Sequence, residues 1–424
     1  MSGILRGQIL AGRRAGLALA GLAALGPAAL GPAAGLAALA TTASALAGCG
    51  SSDPAKADAI PDNFDRNALL AHLGEHVLLP IQATFDARAN ALPAAIAAYC
   101  DALDAGTPGT TLESARAAWR EAIDAWQHAE ALLVGPAAMD NKALRDRIYA
   151  WPLLAPCDVD RDVASRWANP ASYDVSTKLQ RQRSLLAIEY LLFPQTDAHN
   201  CAITPPGWDA LGADLLRARC RLAEVLATDV AAAATTLHTA WRADGGNYVG
   251  ELARAGMGTS IPSAHAGVNL VSDSFFYVDR MVKDMKLAEA AGIAVNACGT
   301  VQEPCIREVE LRFADRATTA IRINLATLRE AITGTTPAAD GPGFDDFLIA
   351  IGQPEVATRV TAALDAAIAK ADALPESFLG ALTNDYAAIV EAHAATKEFT
   401  NDLKSQFLTL LALDIPDDVA SDND

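Results

Sequence analysis

The sequence predicts an all-α fold of two packed helical bundles, and three observations predict it. Apolar residues recur at three- and four-residue spacing along almost the whole chain, the period of a helix with one buried face. Alanine is abundant and β-branched runs are few, which favours helix over strand. Turn residues, chiefly Gly, Pro and Ser, separate the periodic segments. The chain has 424 residues, and the part beyond residue 48 is long enough for two domains on a prior of roughly 100–200 residues each.

Residues 1–48 carry Arg6, Arg13 and Arg14, no acid, and a long run of Ala, Leu and Gly. A charged start, an apolar middle and small residues before a cut form a secretory leader. The leader ends Leu46-Ala47-Gly48-Cys49, which resembles a bacterial lipobox. The expectation is a signal peptide cut before Cys49, with that thiol lipidated and the body held on a cell-envelope membrane. Gly50, where an inner-membrane lipoprotein tends to carry Asp, directs the expectation to a periplasm-facing lipoprotein of the outer membrane. The run is also long enough to span a bilayer, but Pro27, Pro32 and its glycines make it a poor single helix. Arg13-Arg14 lacks the rest of a twin-arginine signal. Residues 49–62 are small and polar and read as a flexible tether.

Residues 63–244 are expected to form the N-terminal bundle. Val77, Ile81, Phe85, Ala89 and Leu92 make a stripe between Leu70 and Cys100, where Pro80 and Pro93 mark kinks or breaks. Thr111–Val134 is a second helix, with Trp119, Trp126 and Leu133 seven apart. Lys178–Phe193 and Trp208–Ala240 are a third and a fourth. The Gly/Ser/Pro-rich stretch 245–263 is read as a loop and as the domain boundary. The C-terminal bundle, 264–413, is expected to hold helices at Val268–Ala290, Ile306–Gly334, Gly343–Ile351, Val356–Leu374 and Phe378–Leu413. Residues 414–424 are an acidic tail without the fixed loop geometry of a calcium site.

Charge and cysteines narrow the function. The chain has 33 basic and 51 acidic residues; without the three leader arginines the count is 30 against 51, a net of −21. That excludes nucleic acid as a partner, whose phosphates call for a basic face. Setting Cys49 aside leaves Cys100, Cys157, Cys201, Cys220, Cys298 and Cys305. An even number in an exported chain suggests disulfides. Six cysteines allow about fifteen sets of pairs, and the set expected is Cys157–Cys201, Cys100–Cys220 and Cys298–Cys305. No CxxC pair points to a metal cluster.

Two local patterns carry candidate chemistry. His72-Leu73-Gly74-Glu75-His76 spells HxxEH, in which two histidines one helical turn apart can share a zinc ion; a third ligand would have to come from elsewhere, and Gly74 weakens the helix. Glu189 lies in Leu185-Leu186-Ala187-Ile188-Glu189-Tyr190-Leu191-Leu192-Phe193, apolar on nearly every side and therefore buried. A buried carboxylate needs a partner or a proton. Trp119, Trp126 and Trp151 either line a cleft or fill the core. No phosphate-binding Gly loop and no G-x-S-x-G nucleophile motif occurs.

Several blocks together resemble the imelysin family. Arg183 to Phe193 is similar to its signature helix. Ala118-Trp119-Arg120 with Trp126, Gln127 and Glu130 and then Gly135-Pro136 is similar to its N-terminal block. Arg147-Ile148-Tyr149-Ala150-Trp151-Pro152 and Cys157 to Arg161 resemble its lipoprotein branch. Lys286-Leu287, Glu308-Val309-Glu310, Ile321 to Leu325 and Gly343 to Leu348 follow in family order. The resemblance implies two helical bundles with a cleft, an envelope setting, iron-regulated relatives and a peptidase label. It makes Arg120, Arg147 and Arg161 the expected partners of Glu189, either in a structural ion pair joining bundle helices or in a cleft for a polar ligand or cation, for which Glu189, Arg120, Arg147, Trp151 and Arg161 are the candidate ligand site. The family motif is Gly-x-His-x-x-Glu, and here Ser184 and Leu186 replace the glycine and histidine, so neither a metal nor a peptidase activity carries over from it. A non-enzymatic binding protein serving the acquisition of iron or another ligand is the reading preferred; the alternative is a metallopeptidase of the imelysin type, and the one cofactor considered for the chain is a metal ion, iron or zinc.

Overall fold

The computed structural model describes residues 63–299 and 302–414. Cys49, the leader, the tether and the tail beyond Asp414 lie outside them. The described residues are helical and contain no β-strand.

Asp65 starts the first helix, α1 (Arg66–Leu73), by accepting the Ala68 N–H at 2.9 Å. A π-helical turn, Gly74–Leu78, leads without a break into α2, Leu79–Asp104. The helix continues through Pro80: the proline sits in the first turn of α2, where its missing N–H is tolerated beside the widened turn. Pro93 lies inside α2 without ending it. The face Phe85, Ala89, Leu92, Ile96 and Cys100 is buried between α3 (Thr111–Ala131) and α7 (Leu215–Trp241), and that packing outweighs the lost backbone hydrogen bond.

Between α3 and α7 lie three shorter helices, α4 (Ala143–Ile148), α5 (Pro156–Ala168) and α6 (Leu185–Leu192). The helix expected over 178–193 is confined to Leu185–Leu192, eight residues, all buried. The stretch before it is a chain of short 3₁₀ turns around Lys178 and Gln182, which both bond Asp162. Likewise the helix expected from Trp208 begins at Leu215. The Gly/Ser stretch 245–263 is not all loop: it contains α8, Tyr248–Ala253, which packs on α1.

The second half holds α9 (Ala264–Tyr277), a long π-helical continuation at Val278–Glu289, α10 (Ala317–Thr333), α11 (Phe344–Ala350), α12 (Pro354–Asp372), α13 (Phe378–Asn384) and α14 (Tyr386–Asp402). A short π turn at Leu403–Phe407 and α15 (Leu408–Leu411) close it. One core runs through helices on both sides of 245–263, and α3 packs directly on α10. The helix expected from Ile306 is another correction. After a 3₁₀ turn at Ile306–Glu308 the chain stays irregular to Arg316, with Leu311 and Asp315 at positive φ. Tertiary demands override its periodicity, because this loop serves the site described next.

The disulfides are Cys100–Cys220, Cys157–Cys201 and Cys298–Cys305, the set expected. The first ties α2 to α7. Among the described residues no helix is long and apolar enough to cross a membrane.

Candidate functional site

Helix α6 is placed from two directions. Trp119 on α3 donates its indole N–H to the Leu185 carbonyl at 2.9 Å. Ser184, just before the helix, adopts φ 119° and ψ 173°, a conformation essentially reserved for glycine. The residue that takes the place of the motif glycine is therefore strained, and the position explains why a glycine suits it.

Glu189 is 1% exposed. Its carboxyl is met by the loop, not by an arginine: the backbone N–H groups of Phe313 and Ala314 both donate to Oε1 at 2.9 Å. Burial pushes its pKa up to about 8, against the pull of those two N–H groups and of Arg312. The carboxyl is thus mostly protonated at neutral pH. The expected partners are engaged elsewhere. Arg147 bonds Asp229 at 2.7 Å, Arg161 pairs with Asp158 at 3.0 Å, and Arg120 lies over the Phe193 ring with Glu113 at 3.9 Å. Of the five candidate residues, the structure brings together only Glu189 and Trp151.

Those two line a cavity of about 390 Å³. Leu186, Leu154, Pro152 and Phe313 add apolar wall, and Arg307, Glu308 and Arg312 add charge. The Arg312 guanidinium bonds the Arg307 carbonyl and stacks 4.7 Å from the Phe313 ring. Glu308 accepts the Ala297 N–H at 2.8 Å. These loop residues escaped sequence reasoning because their segment reads as helix, although Glu308-Val309-Glu310 stood among the family-like blocks.

Behind the cavity lies a buried polar cluster. Glu310, buried like its neighbours Val309 and Leu311, receives Lys286 Nζ at 2.9 Å, the Tyr149 hydroxyl and the Gln127 amide. Lys286 also bonds Gln127 and Asn324, at 3.0 and 2.6 Å, and burial lowers its pKa. Arg145 pairs with Glu130 in the same region and donates to the Trp151 carbonyl at 3.2 Å. Lys286 sits over the Trp151 ring, 5.8 Å from its centroid, so this cluster supports the cavity wall.

Neither candidate metal motif is completed into a ligand set among the described residues. Leu186 gives the signature helix no ligand, and Glu189 Oε1 is already committed to two N–H donors. In HxxEH, His72 Nε2 lies 2.6 Å from the Gly334 carbonyl, its ring 4.9 Å from that of His76, while Glu75 is exposed. Among the described residues no group of three or more His, Cys, Asp or Glu side chains is placed to hold a metal ion.

Comparison with known proteins agrees with this architecture. The profile of Peptidase M75, described as imelysin, matches residues 79–407. No curated protein sequence matches at a significant level. Among solved structures, the chain is similar to an iron-regulated protein A precursor from Parabacteroides distasonis, with a TM-score of 0.64 at 17% identity, over 82% of this chain and 94% of that one. It is also similar to an imelysin-like protein from Psychrobacter arcticum, with a TM-score of 0.58 at 17% identity, over 84% of this chain and 99% of that one. At that identity the structures share the fold, while the matching profile spans well over half the chain. The chain belongs to the imelysin family.

Proposed function

We propose that the protein is a non-enzymatic binding protein of the cell envelope whose cavity beside Glu189 takes a small ligand, in a system for acquiring iron or another nutrient. The observation that carries this reading is the cavity itself, walled by the family's signature helix at Leu186 and Glu189. The motif histidine is absent, and the surviving glutamate is spent on holding the 307–316 loop. With Leu186 in the place of the motif histidine, Glu189 has no second ligand on its own helix with which to share a cation. The resemblance to an iron-regulated protein supports the iron setting. Three disulfides and the lipobox-like Leu46 to Cys49 support export and a lipid anchor, with Gly50 favouring the outer membrane.

Calorimetric titration with ferric, ferrous and copper ions, and with ferric citrate and ferric 2,3-dihydroxybenzoate, tests it. Binding of a chelate without peptide hydrolysis is expected. Stoichiometric zinc in the purified protein, lost together with peptide hydrolysis in His72→Ala, would establish the metallopeptidase alternative instead.

A further inference from the structure

The charges on the cavity wall narrow the ligand. In this acidic chain most arginines face a carboxylate, as Arg145, Arg147, Arg161, Arg221 and Arg316 do. Arg307 and Arg312 form no ion pair among the described residues, although Glu189 acts on Arg312 at longer range. The Arg307 guanidinium has no hydrogen-bond or ion-pair partner among the described residues, and it is exposed at the cavity. Arg312 spends one nitrogen on the Arg307 carbonyl and has no carboxylate within ion-pair distance among those residues. Two guanidinium groups on one wall are a receptor for a planar oxyanion, which each can meet with two parallel N–H donors.

The opposing charge is small. Glu308 is the one carboxylate set against the two guanidinium groups on this wall; its Oε1 accepts the Ala297 N–H and its Oε2 has no hydrogen-bond partner. Glu189 is held uncharged by burial and so does not repel an anion. The rest of the lining is apolar and includes the Trp151 and Phe313 rings, which suit a flat hydrophobic body.

Resting on the binding function proposed above, we infer that the ligand is an organic anion: a carboxylate, met by Arg307 and Arg312, on a planar apolar body that lies against Trp151 and Phe313. A cationic or neutral ligand of the same shape is discriminated against.

The test uses probes of one shape and different charge: benzoate, benzyl alcohol and benzylamine, titrated into the purified protein by calorimetry. Benzoate should bind at least tenfold tighter than the other two. Arg307→Ala should weaken benzoate at least tenfold with an unchanged melting temperature, since Arg307 is exposed and its side chain makes no hydrogen bond or ion pair among the described residues. Arg307→Lys should retain part of the preference, and Arg307→Glu should shift it toward benzylamine. Benzyl alcohol binding as tightly as benzoate, or benzoate binding unaffected by Arg307→Ala, would overturn the inference while leaving a binding cavity. If no aromatic probe binds but a ferric chelate does, the inference falls alone; if nothing binds, the proposed function falls with it.

Discussion

Glu189 shows what a residue's neighbours do to its chemistry. It ionises at about 8 in the folded protein against an ordinary value of 4.5. Between those values the folded state keeps a proton that the unfolded state has lost, so stability falls as pH rises through this window. Glu189→Gln keeps an oxygen for the Phe313 and Ala314 N–H groups and cannot ionise. Its melting temperature should equal the parent's near pH 4.5 and exceed it at pH 8; a lower value at pH 8 would contradict this account of the site. Ser184 gives a second prediction. Its glycine-like conformation costs on the order of 1–3 kcal/mol, so Ser184→Gly should raise unfolding free energy by about 1 kcal/mol in denaturant titration. A loss would mean that the serine side chain contributes more than the strain costs. The burial of Glu189 was legible in its apolar helix. Its partners were not, because backbone N–H groups belong to every residue and leave no mark in the sequence.

At the scale of elements, periodicity located the helices better than it located their ends. The stripe from Val77 to Leu92 predicted the buried face of α2. The prolines do not end the helix, since tertiary packing and a π turn accommodate what an isolated helix would not. The segment from Ile306 to Arg316 misled, because it has helical spacing but is held open by contacts to Glu189 and to the Lys286 cluster. The even cysteine count points to disulfides and the short spacing to Cys298–Cys305, while the order alone does not fix the other two pairs; the three differ in leverage. Cys100–Cys220 closes a separation of 120 residues and Cys298–Cys305 one of 7. Longer loops lose more unfolded-state entropy on crosslinking. The double substitution Cys100→Ala/Cys220→Ala should therefore cost about 3–5 kcal/mol, and the double alanine at 298 and 305 clearly less. Equal losses would count against the entropic explanation.

For the whole molecule, the buried cluster joins elements far apart in the chain. Gln127 comes from α3, Lys286 from the π segment, Glu310 from the loop and Asn324 from α10. Glu310→Gln leaves Lys286 buried without its countercharge, and about 3–5 kcal/mol of stability should be lost. Because the cluster spans both sides of 245–263, calorimetry should show that loss in a single unfolding transition. Two transitions with only one displaced would contradict a shared core. None of these pairings was legible in advance, since charge pairing across more than a hundred residues depends on the fold. The family, by contrast, was legible in the order of its blocks, and so was the loss of its motif histidine.

The central claim is that the cavity beside Glu189 binds ligand. Ala297 is exposed and lines that cavity, so Ala297→Trp should fill its mouth without disturbing the core. The most direct measurement is calorimetric titration of ferric 2,3-dihydroxybenzoate into the parent protein and this variant. Saturable one-to-one binding by the parent, abolished in a variant of unchanged melting temperature, is predicted. Equal binding by both proteins, or none by the parent, would contradict it.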